Sequence, residues 1–210
     1  METIISQVGV YTINKYKIPV TFEMKNDALS FAIRLIGSAN QYLRMTTQEA
    51  LDNDSLKILI ETQRTYVGKL AELAFLKLLH EKNIDTNTEG MFEIYEGQDI
   101  VDDFDFETSN GKSIDVKAGF RENHRLLLIN YDQFTNNHKD FYIGVKLNGK
   151  DLDYDKKIID WNSITHAIIE GYADYTYLRT KLNPRDFGEG LALGIDYKRL
   201  MGIDRLLNTM

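Results

Sequence analysis

The segment DFDFETSNGKSIDVKAGF, residues 103–120, contains three aspartates that could bind a cation, together with one lysine. They are Asp103, Asp105, Asp115 and Lys117. Carboxylates gathered this closely repel one another unless a cation compensates them. The chain has no cysteine, so a metal must be held by carboxylates, carbonyls or the four histidines, which favours Mg²⁺ or Mn²⁺. Alternatively, the stretch is the solvated face of a half-buried hairpin.

The turn Ser-Asn-Gly between the two halves of this stretch admits two strand registers. A two-residue loop, Asn110-Gly111, would place Phe106 opposite Asp115, and so mix apolar and charged side chains on both faces of the hairpin. A three-residue loop, Ser109 to Gly111, requires a left-handed glycine at its end. That register pairs Phe106 with Ile114, and we therefore predict it.

The three-residue register also fixes the remaining pairs of the hairpin. Phe104 is expected opposite Val116 on the core face, and Asp105 opposite Asp115 on the other face. Asp103 would then face Lys117. Asp103 is therefore either an alternative to Asp105 as a metal ligand or the counter-ion that holds Lys117 in place.

The spacing Asp105, nine residues, Asp115-Val116-Lys117 resembles the signature of the PD-(D/E)xK nuclease superfamily, although Phe104 stands where the name of that superfamily has proline. The segment GKLAELAFLKLL, residues 68–79, resembles the helix that precedes the core strands in these nucleases. Glu72 occupies its acidic position, four residues after a glycine. On the residues alone, Glu72 could instead lie on a narrow polar stripe with Lys69 and Lys77, solvated or ion-paired.

The segment RLLLINYDQFTNNHKDFYIGVKL, residues 125–147, resembles the part of the same superfamily that completes its sheet. Together the three features cover roughly residues 60–147. The resemblance implies an α/β protein of the restriction-endonuclease-like fold, with a mixed central β-sheet flanked by helices and an αβββαβ core. We expect a single domain over 1–210, with the core at about 55–150 and extensions at 1–54 and 151–210.

The resemblance also implies roles for individual residues. Asp105 and Asp115 would bind Mg²⁺, with Mn²⁺ as a substitute, helped by the backbone carbonyl of Val116. Glu72 would add a metal contact, directly or through water. Lys117 would orient and help deprotonate the attacking water, or stabilise the developing charge.

A local excess of positive charge follows the catalytic signature. Arg121, His124 and Arg125 are the candidate contacts to nucleic acid, although the net charge of the whole chain is −7. No other histidine has a partner at metal-ligand spacing. Trp161 and the aromatic residues of EGYADYTYL could stack on bases, but packing in the core is the commoner role for such residues.

The coarse secondary structure agrees with a mixed α/β chain. Residues 8–24 are predicted as extended, followed by a helix entered at Asn26 or Asp27 and a long helix over DNDSLK…LLHEKN, residues 52–83. Strands are expected in the following segments: MFEIYE, DDFDFET, KSIDVKAG, RLLLIN, KDFYIGVKL, and one or two within KKIIDWNSITHAIIEGYADYTYL. LNPRDFGEG is predicted as a loop, and DYKRLMGIDRLLNTM as a closing amphipathic helix.

Two functions remain open from the sequence. One is a Mg²⁺-dependent endonuclease acting on double-stranded DNA, in the manner of a restriction, resolving or repair enzyme. The other is an inactive nuclease-like fold that serves as a nucleic-acid-binding or assembly module. Many such folds act as dimers, so a homodimer is a possible form. We find no apolar run long enough for a membrane span and expect a cytoplasmic protein.

Overall fold

The computed structural model describes residues 1–8, 11–37, 53–94, 104–121, 123–188 and 190–210. The chain opens with a hairpin of β1 (Glu2–Val8) and β2 (Tyr11–Pro19), followed by helix α1 (Phe22–Gly37). Strand β2 confirms the extended prediction over Tyr11–Pro19, whereas β1 was not predicted and α1 begins at Phe22, several residues before the expected Asn26.

The longest element is helix α2 (Asp54–Glu81), which confirms the prediction of a long helix in this region. Asn53 caps its first turn, because the Asn53 side chain accepts a hydrogen bond from the Leu56 N–H at 3.0 Å. The second half of α2 has a broad, buried apolar face that packs on the main sheet, made of Leu70, Ala71, Leu73, Ala74, Phe75, Leu78 and Leu79. Its Phe75 ring packs edge-on against Phe106 at a centroid distance of 5.2 Å.

The strands after α2 are β3 (Phe106–Glu107), β4 (Ser113–Arg121) and β5 (Leu126–Asn130). Helix α3 (Tyr131–Asn136) leads to β6 (Phe141–Asp153) and β7 (Ile158–Asp160). A 3₁₀ turn, Trp161–Ser163, precedes β8 (His166–Asp174). The chain continues with α4 (Tyr175–Lys181), β9 (Arg185–Asp186), β10 (Leu191–Asp196), a second 3₁₀ turn (Tyr197–Arg199) and α5 (Asp204–Leu207).

Within the described residues, the main sheet has seven strands in the order β1-β2-β8-β6-β4-β3, with β7 paired to β6. The β4–β6 pair is parallel and the other pairs are antiparallel. A mixed central sheet flanked by helices is therefore present, as predicted. One of its faces, with Ile114 and Val116 of β4, contributes to the core beneath α2.

Strand β5 does not complete the main sheet, and that expectation was wrong. It pairs with β10 in a three-stranded sheet of order β5-β10-β9. Leu127 and Ile129 of β5 are buried while their neighbours along the strand are exposed. This alternation buries one side of β5 in a second apolar cluster with Tyr142 and Tyr197, on the face of the main sheet that α2 does not cover.

Two further segments differ from the predictions. Residues 91–94 of MFEIYE form a turn rather than a strand, and its last two residues lie outside the described residues. The closing segment forms the 3₁₀ turn Tyr197–Arg199 and the four-residue helix α5 instead of one amphipathic helix. No helix in the described part of the chain has the length and apolar character needed to cross a membrane.

Candidate active site

The turn between β3 and β4 has the predicted three-residue form. The Gly111 N–H donates to the Thr108 carbonyl at 2.9 Å, and the Thr108 N–H donates to the Lys112 carbonyl at 2.9 Å. Gly111 has φ 75°, the left-handed conformation that this turn requires at its last position. Phe106 pairs with Ile114, so the predicted register of the hairpin is confirmed.

Regular pairing ends at Phe106, however, and the predicted direct pairing of Asp105 with Asp115 does not occur. The Asp105 N–H donates to the Ile114 carbonyl at 2.9 Å, and the Asp105 carboxylate accepts a hydrogen bond from the Val116 N–H at 2.6 Å. In a regular ladder the Phe104 carbonyl would accept from Val116. The carboxylate replaces it, and Phe104 leaves the core face with 41% of its surface exposed, which corrects its expected pairing with Val116.

Asp105 lies in a negative environment. Burial raises the pKa of Asp105 well above its usual range, and the charges of Glu72 and Asp115 raise it further. The Val116 N–H and the Lys117 ammonium lower the pKa but do not cancel these effects. The predicted residues Glu72, Asp115 and Lys117 are therefore all within electrostatic reach of Asp105.

Asp115 and Lys117 lie on the face of β4 away from Ile114 and Val116. Asp115 is buried at 7% exposure, and its Oδ2 lies 2.6 Å from Lys117 Nζ. The contact is ionic in distance but lacks the angles of a hydrogen bond, so Oδ2 is a buried oxygen without a hydrogen-bond donor. Lys117 Nζ also donates to Gln133 Oε1 of α3 at 3.2 Å.

Lys117 thus contacts Asp115, and its expected contact with Asp103 stays untested. Asp103 lies outside the described residues, so the choice between Asp103 and Asp105 is informed only by the position of Asp105. That side chain bonds to the backbone of Val116, directly between Asp115 and Lys117. Gln133 was missed in the sequence, because nothing in the pattern of α3 indicates that it approaches β4.

Glu72 comes from α2, on the core side of the sheet. Its Oε2 accepts from Lys69 Nζ at 2.5 Å, in a pair whose side chains are 14% and 7% exposed, respectively. The alternative in which Glu72 is ion-paired is therefore confirmed, with Lys69 as its partner. The buried position of that partner was not predicted, although the spacing of three residues on a helix could have indicated the contact.

The donor set suits a hard divalent cation. The Glu72 and Asp115 carboxylates both act on Asp105, and the buried Asp115 Oδ2 has an ion pair with Lys117 but no hydrogen bond. Mg²⁺ and Mn²⁺ take oxygen ligands of this kind. Among the described residues no three His, Cys, Asp or Glu side chains have the arrangement of a formed metal site. In this arrangement lysines contact two of the three carboxylates, so the side chains of Asp115 and Glu72 must turn from Lys117 and Lys69 to bind a metal.

The three predicted nucleic-acid contacts, Arg121, His124 and Arg125, differ in how accessible their side chains are. Arg121 forms a two-pronged ion pair with Asp151, with Nε–Oδ2 and Nη2–Oδ1 distances of 2.7 Å and 2.5 Å. His124 is partly buried beside Arg121, and burial followed by the Arg121 charge lowers the pKa of His124. Arg125 has an exposed side chain. Arg125 is therefore the most accessible of the three to a phosphate.

The aromatic residues considered for base stacking are mostly packed within the protein. Trp161 packs against Tyr66 with ring centroids 4.6 Å apart and ring planes tilted by 46°, and Tyr172 is buried in the main core. Tyr175 stacks on His138 at 3.9 Å. The packing role expected for these aromatics is confirmed.

Comparison with known proteins adds no relatives to this description. No family model matches the chain, and no curated protein matches it.

Proposed function

We propose that this protein is a Mg²⁺-dependent endonuclease of the restriction-endonuclease-like fold that hydrolyses phosphodiester bonds of double-stranded DNA. The observation that carries the proposal is the gathering of three carboxylates and a lysine from separate parts of the chain. Glu72 comes from α2, Asp105 from the end of β3, and Asp115 and Lys117 from β4. Burial raises the pKa of Asp105, and the charges of Glu72 and Asp115 raise it further.

The metal would be held by Asp105 and Asp115, with Glu72 as a direct or water-mediated contact. Bound there, Mg²⁺ would supply positive charge for the transition state and lower the pKa of a water molecule. The hydrogen bond from the Val116 N–H fixes one oxygen of Asp105, which leaves its other oxygen available to a cation. Asp115 Oδ2 makes no hydrogen bond, so a cation there would have to displace only its ion pair with Lys117.

Lys117 has a separate role in this proposal. Its ammonium carries three donors, and Asp115 and Gln133 contact it now. With Asp115 turned to a bound metal, the Lys117 ammonium would be able to turn toward the attacking water or a phosphate oxygen. The contact with Gln133 keeps it near β4 during that change. It can then stabilise negative charge that develops in the transition state.

A phosphodiester is proposed as the bond that is cut, because its negative charge complements the metal and the Lys117 ammonium. Double-stranded DNA is proposed as the substrate from the resemblance to nucleases. The net charge of −7 makes broad coating of DNA an unfavourable mode of binding. Phosphate contacts are therefore expected to be few and local, with exposed Arg125 the foremost of the candidates, followed by His124 and the Asp151-bound Arg121.

The deciding experiment is cleavage of supercoiled plasmid and of branched DNA with Mg²⁺, Mn²⁺, Ca²⁺ or EDTA. We expect cleavage with Mg²⁺ and Mn²⁺, and loss of cleavage with EDTA or in Asp115→Asn. Asp132→Asn, an exposed carboxylate of α3, is the matched control and should cleave like the wild type. DNA binding without any cleavage would favour the binding module instead. Cleavage that persists in Asp115→Asn would remove the site from the proposal.

A further inference from the structure

Helix α3 presents Gln133 to the lysine of the candidate site from outside the main sheet. Gln133 Oε1 accepts a hydrogen bond from Lys117 Nζ at 3.2 Å. An ammonium has donors and no acceptor, so the amide turns its oxygen, and not its nitrogen, toward Lys117. Within the described part of the chain, Asp115 and Gln133 are the side chains that make an ion pair or a hydrogen bond with Lys117.

The backbone of Gln133 is held in place by the start of α3. Asn130, the last residue of β5, caps the helix, and its side chain accepts a hydrogen bond from the Gln133 N–H at 3.0 Å. Strand β5 belongs to the small sheet, where Asn130 pairs with Ala192 of β10. Gln133 is therefore supported by the small sheet, whereas Lys117 belongs to the main sheet.

Helix α3 also packs on the strand beside the site. Phe134 is buried, and its ring centroid lies 6.1 Å from that of Tyr142 and 5.1 Å from that of Tyr175. Tyr142 lies on β6, directly beside Asp115 of β4 in the parallel pair. The chain neighbour of Gln133 thus packs on the cross-strand neighbour of Asp115. This packing fixes the distance between α3 and the site.

Metal binding would change the contacts of Lys117. Asp115 must turn from Lys117 to reach a cation, so the ammonium loses the partner that now lies 2.6 Å away. The hydrogen bond to Gln133 does not depend on Asp115, and nothing in that change requires Gln133 to move. A lysine side chain has a flexible four-carbon stem, so without such a contact its ammonium would take many positions.

We propose that Gln133 is a positioning residue that holds the Lys117 ammonium at the site when Asp115 binds the metal. This inference rests on the proposed function, because it takes Lys117 to be the catalytic lysine. Gln133 acts through Lys117 and does not contact the metal. The small sheet then has a role in catalysis, because it carries Gln133 to the site through β5 and α3.

A purely structural role for Gln133 predicts a different result. In that case the hydrogen bond only ties α3 to β4, and its loss lowers the melting temperature without changing cleavage by the folded protein. Positioning predicts instead a lower kcat, with the KM for DNA and the affinity for Mn²⁺ unchanged. A misplaced ammonium affects the transition state rather than the binding of substrate.

The first test measures the kcat and KM of plasmid cleavage with Mg²⁺, and Mn²⁺ affinity by calorimetry, for Gln133→Met and Gln133→Glu. Methionine is similar in length but has no oxygen acceptor. We expect its kcat to fall ~100-fold, the cost of a misplacement of about 1 Å. Glutamate keeps an oxygen acceptor and should recover most of kcat. Thr135→Ala is the matched control and should keep wild-type kcat, because the exposed Thr135 hydroxyl bonds only to carbonyls of α3 among the contacts described.

The second test follows Lys117 directly, by reductive methylation and mass spectrometry of the peptide that contains it. Without metal, Asp115 still contacts the ammonium, so Lys117 should react at similar rates in the wild type and in Gln133→Met. With Mn²⁺, Lys117 should react faster in Gln133→Met than in the wild type, because neither Asp115 nor residue 133 then holds it. Lys112, exposed just before β4, is the internal reference and should react equally in both proteins.

The outcomes separate this inference from the proposed function. In an active enzyme, wild-type kcat in a folded Gln133→Met protein overturns the positioning role alone, and so does equal reactivity of Lys117 with Mn²⁺. Mn²⁺ affinity that falls as far as kcat also overturns it, because the change then disturbs the metal site. A wild type that neither binds Mn²⁺ nor cleaves DNA overturns both proposals.

If Gln133→Met does not fold, Gln133→Asn replaces it, because the asparagine amide is one carbon shorter and falls short of Lys117 Nζ. A lower kcat with unchanged Mn²⁺ affinity in Gln133→Asn supports the positioning role. Wild-type kcat in Gln133→Asn contradicts it.

Discussion

Replacing Lys117 with alanine tests the proposed catalytic lysine and the buried ion pair together. The change removes the cation that contacts Asp115 Oδ2 at 2.6 Å and the donor to Gln133 at 3.2 Å. Asp115 is left buried at 7% exposure with an uncompensated charge. We expect DNA cleavage to be lost and the metal-free protein to be less stable.

The expected loss of stability follows from the burial of the pair. Leaving one buried acceptor unsatisfied costs ~1–3 kcal/mol, and breaking a fully buried ion pair costs ~3–5 kcal/mol. The Lys117 side chain is 23% exposed, so solvent reduces the effect to about 2 kcal/mol of unfolding free energy. For a chain of this size that change corresponds to a fall in melting temperature of about 4–8 °C.

The assay is thermal melting of the wild type and Lys117→Ala in EDTA and in Mg²⁺, beside plasmid cleavage. The difference in melting temperature should narrow in Mg²⁺, because a bound cation compensates Asp115 in place of the lysine. Lys117→Arg should recover stability but not cleavage, since a guanidinium is too broad for a point contact on one water. Lys112→Ala, at an exposed position just before β4, is the control. Full activity in Lys117→Ala would refute the catalytic role, and equal melting in EDTA would refute the energetic argument.

Two further changes test other parts of the argument. Asp105→Asn should raise the melting temperature of the metal-free protein near neutral pH. Because the pKa of Asp105 is raised in the folded state, the protein loses stability as the pH rises from the unfolded pKa through the folded pKa. Asparagine does not ionise and so removes this loss. Melting curves measured in EDTA between pH 4 and 8, at intervals of roughly one pH unit, check this prediction. A lower melting temperature for Asp105→Asn at neutral pH would contradict it. Gly171→Ala should cost at least about 2 kcal/mol, because Gly171 has φ 145° and a Cβ there would lie 2.4 Å from the Met201 carbonyl oxygen. Denaturant unfolding measures the loss, with Gly37→Ala as the control because a Cβ at Gly37 would meet nothing within 4 Å; equal stability of the two variants would count against the clash.

The hairpin of the site was predictable as far as local rules apply. The alternation of Phe106, Ile114 and Val116 with charged residues selects one register, and Gly111 fits the only turn that gives it. The end of regular pairing was not predictable in this way. It depends on the Asp105 carboxylate taking the Val116 N–H, which is a competition between a side chain and the backbone that no periodicity records.

The helices and strands of the core were predicted better than the pairing between strands. The long apolar pattern of α2 and the β-branched and aromatic runs of β4 and β6 carry strong local signals. The pattern of β5 shows which side chains are buried but not which strand lies beside it. Its pairing with β10 is set by the second apolar cluster, whose members are far apart in the chain.

Lys69 shows a third limit of the sequence. Its position beside Glu72 on the helix follows from their spacing, and the ion pair was one of two alternatives. Its burial follows from Phe31 and Met91, which belong to separate segments. From the sequence alone, a lysine on an apolar helix is expected to be exposed to solvent, and its burial becomes visible only once those two segments pack against it.

The place of β8 in the main sheet governs the order in which the fold can assemble during synthesis. β2 pairs with β8 through Tyr16 and Ile169, and β8 also pairs with β6, so the opening hairpin joins the sheet only through a strand made much later. The helix α2 and the β4–β6 pair emerge from the ribosome between them and can associate first. Closing so long a loop is slow. Until β8 is made, the β2 edge of the hairpin is open to pairing with other chains, so exposure of that edge during synthesis lasts as long as the segment between them takes to be made.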